Sequence, residues 1–195
     1  SSDLGARTTN RPRSRPIRRS RPLPPSRARG RATPPAEAVE LLDDTLTRLV
    51  AEHGIPVLVI AGNHDTYFKN TNDVNSVDLL LREYDNINVI DTPQTIHLRF
   101  ANGEYDVCMV PWICSENYEQ CMAEIKNTSA TLCMGHFEIA GFAMHRGMPS
   151  MEGLDRDIFK RFEYTFSGHY HHKSNSGNIY YLGNPYELTW QDYSD

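Results

Sequence analysis

Three segments of the chain share one layout: a short apolar run, then glycine, then side chains of the metal-ligating type. They are VLVIAGNHD (57–65), ATLCMGHFE (130–138) and FSGHYHH (166–172). An unbroken apolar, β-branched run such as IPVLVIAG predicts a strand buried on both faces, as in sheets covered by helices. In α/β sheets, ligands gather in the crevice beyond the carboxyl ends of the strands. Glycine at that point lets the chain turn sharply and lets a ligand come close. Segments far apart in sequence can therefore converge on one pocket. Taken singly, each has a bland reading. GNHD is also a turn sequence, a lone Gly-His is usually a satisfied histidine, and GHYHH is also a solvated strand end. Three such units in one chain argue for a shared site.

The donor types fit one task. His, Asn and Asp offer nitrogen and oxygen, and no thiolate belongs to the set. Such donors suit Mn²⁺, Fe²⁺ or Zn²⁺, with Mg²⁺ a further possibility. Two such ions can clamp a phosphoryl group through an in-line displacement. With Asn63 as an oxygen ligand, His64 is left for general acid chemistry, and Asp65 is placed to orient its ring. If GHYHH is extended, alternate side chains share a face. His169 and His171 would then point together, with Tyr170 and His172 pointing away.

The remaining pattern predicts a layered α/β domain. PPAEAVELLDDTLTRLVAEHG has the stripe Val39, Leu41, Leu42, Leu46 and Leu49 of an amphipathic helix, with Gly54 just past its end. SVDLLLREY is a helix capped by Asn75 or Ser76, and SENYEQCMAEIKN is another. INVID and TIHLRF are strands, GEYDVCMVPW continues as a hairpin, and GNIYYLGNPYEL is a last strand and turn. Cys108, Cys114, Cys121 and Cys133 form no CxxC pair, so buried reduced thiols in a cytoplasmic protein are expected. No apolar run reaches the length of a membrane span.

Charge divides the chain. Residues 1–35 hold ten Arg, seven of the twelve Pro and one acid, Asp3, whereas 36–195 hold ten basic and twenty-four acidic residues. The first segment lacks the apolar residues to offset its ordering entropy, so it is expected to be disordered, or an artefact of the chain start. If genuine, it is a basic arm for a polyanion. The acidic body is by itself a poor surface for one.

The chain resembles the calcineurin-like metallophosphoesterase superfamily, whose later motifs read GNH[DE], GH and GHxH. LLREYDNINVIDTPQTI, VPWICSENYEQCMAEIKNTSATLCMGHFEIAGF, GMPS and YLGNPYELTWQD are similar to the SbcD-type recombination nucleases, including that of T-even phages. The similarity covers about 36–195, read as a partial nuclease domain. It implies a β-sandwich flanked by helices, with Asn63, His136, His169 and His171 as ligands of two divalent ions, Mn²⁺ foremost. His64 takes the place of the catalytic histidine and Asp65 that of its acidic neighbour. It further implies DNA exonuclease and single-strand endonuclease activity, an SMC-like ATPase partner of the SbcC type, a homodimer, and the cytoplasm of a bacterium or phage-infected host.

The family's opening strands, ending in Asp-x-His and Gly-Asp, have no counterpart here. Asp3 faintly matches the bridging carboxylate. The fold is thus expected to lack its first strands, and the chain alone to be inactive or nearly so. Two further readings stand beside the nuclease: another phosphoesterase of the superfamily, acting on phosphomonoesters or cyclic nucleotides, or a non-catalytic nucleic-acid-binding subunit. His145 and Arg146, on a loop past His136, are candidates to touch substrate, although a plain surface loop is the simpler expectation. Asn184 should shape a turn beside the site. Trp112 and Trp190 read as core or interface residues, His97 as structural, and His53 as the end of a helix.

Overall fold

The computed structural model describes residues 44–185 apart from Leu46, Glu83, Arg146 and Gly147. The Arg/Pro-rich segment with Asp3, most of the first predicted helix, Arg146 and Trp190 therefore lie outside the described residues. Of that helix, Thr47–Glu52 forms a π-helical turn.

Three sheets are present among the described residues. β1 (Val57–Ile60) pairs in parallel with β2 (Ile87–Ile90). A six-stranded mixed sheet has the order β3-β4-β5-β8-β10-β9. Its strands are β3 (Gln94–Phe100), β4 (Gly103–Val110), β5 (Leu132–Gly135), β8 (Tyr164–Ser167), β9 (Ser174–Ser176) and β10 (Ile179–Tyr181). β6 (Ala143–His145) and β7 (Met148–Pro149) form a small antiparallel pair. β3 and β4 make the expected hairpin, in continuous register from Gln94–Met109 to Phe100–Gly103. β4, β5, β8 and β10 run parallel, so their carboxyl ends share one edge.

Alternation along β4 and β5 explains the layering. Val107 and Met109 join Ile90, with Leu58, Ile60, Ile96, Leu98, Leu132 and Met134 packed around them. This cluster joins the two sheets as a sandwich and leaves an open cleft between them beside Leu58, Ile87, Ile90 and Ile96. Cys108, Val110 and Cys133 point the other way, into a larger core with Cys121, Ile125, Phe137, Phe159 and Tyr181. A period of two sends neighbouring side chains to opposite faces, so the middle of the six-stranded sheet is covered on both. β1 departs from expectation: its four residues are only half-buried. Its packing within the described residues comes through Leu58 and Ile60, toward the larger sheet.

Helix Tyr118–Asn127 covers the outer face by burying Cys121 and Ile125, which lie four apart on one side. Its last carbonyls have no intrahelical donor. Arg161 meets them, donating to the Ile125 carbonyl at 2.9 Å and also to those of Lys126 and Thr128. Helix Ser76–Leu81 is capped by Asn75, whose Oδ1 accepts from the Asp78 N–H at 2.7 Å. All four cysteines are free and buried, as expected. Burial pushes the Cys121 thiol up to about 12 and the Cys133 thiol well above its ordinary range. No helix among the described residues is long and apolar enough to cross a membrane.

Candidate functional site

β1, β5 and β8 each end where a Gly-ligand motif begins. Gly62, Gly135 and Gly168 follow or close those strands. The turn after β1 is tied by Asp65, whose carboxylate accepts from the Gly62 N–H at 2.7 Å. It is braced from the next strand end, because the Trp112 N–H donates to the Ala61 carbonyl at 2.8 Å and Asn72 Nδ2 donates to the Trp112 carbonyl at 2.9 Å.

His136 is the centre of the assembly. Its Nε2 lies 2.8 Å from Asn63 Oδ1. Its ring is wedged between two glycines. A Cβ on Gly62 would stand 2.8 Å from His136 Cε1, and one on Gly168 would stand 2.9 Å from Nδ1. The glycines ahead of these ligands thus have a steric cause: any side chain there would occupy the place of the imidazole. The ring centroid of His169 is 5.3 Å from that of His136 and 5.1 Å from Trp112, on which it stacks at 26°.

Burial is the main reason that His136 is lowered to about 4, followed by the nearby His169, His64 and His171. His169 is also lowered to about 4, by burial and then by His64 and His171. Both rings are therefore neutral at physiological pH, the form in which an imidazole nitrogen binds a metal. His169 Nδ1 is buried with no hydrogen-bond partner. A buried polar nitrogen in that state calls for a ligand. These features fit a cation bound by nitrogen and amide oxygen. Among the described residues, no group of three or more His, Cys, Asp or Glu side chains stands together as a metal cage. Asn63 supplies the oxygen in the cluster, and its present partner is His136 itself.

One expectation needs correction. GHYHH is not an extended strand. β8 stops at Ser167, and His169 has φ of 87°. That conformation is costly for a residue with a Cβ and marks a constrained loop. The loop is clasped from the following strand end, as Leu182 N–H donates to the Ser167 carbonyl at 3.0 Å and Asn184 N–H to the His171 carbonyl at 2.8 Å. Tyr170 does turn away, into the core, where it packs on Tyr181. This follows from the bend at His169 and not from strand alternation.

The sequence-predicted residues fall into three groups. Asn63, His136 and His169 are in or next to mutual contact, and His64 and His171 are near enough to influence the imidazoles. His64 is exposed and His171 half-buried. His145 lies nine positions past His136 and, against expectation, on strand β6 and not on a loop, while Arg146 and Asp3 are outside the described residues. Trp112, read from the sequence as a core or interface residue, is half-buried and stacks on His169. Its position at the carboxyl end of β4, beside the strands that carry the glycines, was the signal for this.

A sandwich with helices on its outer face, and histidines gathered at adjacent parallel strand ends, defines the class of layered α/β phosphoesterases. The chain belongs to the calcineurin-like phosphoesterase family, whose sequence model matches residues 28–173. Members of this family use divalent metal ions. The chain is 37% identical over 162 residues to "Exonuclease subunit 1" of Enterobacteria phage T4, which takes in 82% of this chain and 43% of that protein. It is 25% identical over 169 residues to the SbcD subunit of the SbcCD nuclease of Staphylococcus epidermidis, or 75% of this chain and 45% of that one. It thus spans less than half the length of either relative.

Proposed function

We propose that this chain carries part of the active centre of a metal-dependent DNA nuclease that hydrolyses phosphodiester bonds. The observation that carries the reading is the seat of His136 between Gly62 and Gly168, with Asn63 Oδ1 at 2.8 Å, which joins all three strand-end motifs. The relatives named as nuclease and exonuclease subunits support DNA as the substrate class.

Asn63, His136, His169 and His171 are the ligands; Mn²⁺ is the proposed ion on the resemblance to the SbcD-type nucleases, while imidazole donors by themselves suit Zn²⁺ or Fe²⁺ at least as well. When bound, the ions supply Lewis-acid stabilisation of phosphoryl charge. Neutral His136 and His169 keep their lone pairs available. Asp65 locks the turn that presents Asn63. His64, exposed on the same turn, gives a proton to the leaving oxygen. Four neutral ligands leave the mutual repulsion of two dications unrelieved. This set therefore favours one ion, and a second requires a carboxylate, for which Asp3 is the candidate. A partner ATPase subunit, a homodimer and a cytoplasmic setting complete the reading, the last supported by four free buried thiols.

The test pairs binding with cleavage. Mn²⁺ is titrated calorimetrically into the chain, and labelled single-stranded DNA is compared with p-nitrophenyl phosphate as substrate. One bound ion, lost in His136→Ala, with slow DNA cleavage is expected. Preferential hydrolysis of the monoester overturns the nuclease reading in favour of another phosphoesterase.

A further inference from the structure

Beside the histidine cluster lies a cleft of about 340 Å³ that shares His136 and Trp112 with it. Its other walls are Tyr118, Met122 and Leu154, with the carboxylates of Glu138 and Asp155 at its margin. We infer that this cleft takes the nucleobase of the nucleotide whose phosphate is held at His136 and His169. The inference rests on the phosphodiester reading above and adds where the base goes.

Size, chemistry and position agree. Small-molecule sites run from roughly 300 to 1,000 Å³, so this one suits a single planar ring system and not a larger ligand. Aromatic and thioether side chains favour the π-face of a base without selecting its sequence. Among the described residues, the only charged groups lining the cleft are carboxylates. They repel a phosphate and accept hydrogen bonds from exocyclic amino groups of bases. A nucleotide is thereby oriented, with its phosphate on the imidazole side and its base in the cleft.

The cleft is also held in shape. Gly153 has φ of 111°, and a Cβ there would meet the Glu138 carbonyl oxygen at 2.5 Å. Leu154 N–H donates to that same carbonyl at 2.7 Å, and Ala140 N–H donates to the Leu154 carbonyl at 3.1 Å. Leu154 is thus pinned against the chain leaving His136. Tyr118 opens the helix on the opposite wall and is exposed to 45%, so it has free ring surface to offer.

The experiment measures binding of three probes to the Mn²⁺-loaded chain: 2-aminopurine deoxyribonucleoside 5′-monophosphate, deoxyribose 5-phosphate, and the 2-aminopurine deoxyribonucleoside. The nucleotide should bind about tenfold or more tighter than the sugar phosphate, with its fluorescence quenched by stacking. Tyr118→Ala and the cleft-filling Leu154→Trp should each remove that advantage and leave sugar phosphate affinity unchanged, which separates loss of the cleft from misfolding. Equal affinity for nucleotide and sugar phosphate overturns the inference, as does an advantage that survives both substitutions. Binding of the nucleoside without the sugar phosphate supports a base site here and overturns the phosphodiester reading. Binding of none of the three overturns both.

Discussion

His136 Nε2 and Asn63 Oδ1 stand 2.8 Å apart although seventy-three positions separate them in the chain. Each is a proposed ligand, and each holds the other in place. His136→Ala should therefore abolish Mn²⁺ binding in a titration. Asn63→Ala should weaken it by a factor of ten or more, in line with the roughly 10–100-fold losses seen when groups that orient ligands are removed. Unchanged affinity in His136→Ala would remove the histidine from the site.

The space around that imidazole is the next handle. Gly168→Ala puts a methyl group 2.9 Å from His136 Nδ1, so the ring must move. Overpacking of this kind costs about 1–3 kcal/mol. Urea denaturation should show a loss in that range, and metal affinity should fall with it. Gly177→Ala is the control for affinity, since nothing lies within 4 Å of a Cβ there.

Arg161 joins the loop before β8 to the end of helix Tyr118–Asn127 through three carbonyls. Hydrogen bonds with a charged partner contribute about 1.5–3 kcal/mol, and the exposed part of this side chain argues for the lower end. Arg161→Ala should lower the urea midpoint accordingly. Arg161→Lys should restore little, because an ammonium cannot span a forked set of acceptors.

His97, on the β3–β4 hairpin, is raised above its ordinary value by its hydrogen bond to Asp106, with Glu104 adding to the effect. A raised folded-state value means stability that is fully present below about pH 6.5 and is lost as pH rises through the folded value. The hairpin should therefore loosen slightly on passing from acid to neutral pH. An NMR titration of His97 checks this, and Asp106→Asn should bring its midpoint down. A midpoint that ignores the substitution would discount the pair.

Phe137 packs at 4.9 Å against Phe159, and both are fully buried directly behind the ligand that precedes Phe137. Phe137→Ala should cost about 3–5 kcal/mol. Thermal melts would show it, and a loss under about 1 kcal/mol would mean that the core repacks around the gap.

The strands were legible wherever an apolar run met a glycine. Leu132–Gly135 falls inside ATLCMGHFE and Tyr164–Ser167 overlaps the start of FSGHYHH, because a sheet core demands such runs. Asn75 was legible as a cap, since its side chain competes for the next turn's N–H groups. β6, β7 and β9 were not, as FAMHRGMP and SNS carry no alternation of two. The bend at His169 was not legible either. A positive φ at a residue other than glycine reflects tertiary clamps, here Leu182 and Asn184, and no local pattern encodes them. Trp112 was legible only as a core or interface residue; its contact with His169 follows from its neighbourhood at a strand end.

Cys108 and Cys133 face one another in register across the β4–β5 pair, and both are sealed from solvent. With no exposed surface for a reagent to reach, these thiols are silent while the sheet is closed. An alkylating agent can reach them only when β4 and β5 part. The rate of their modification is thus a clock for the opening of the layer that carries the ligands, and its reporting groups are the protein's own.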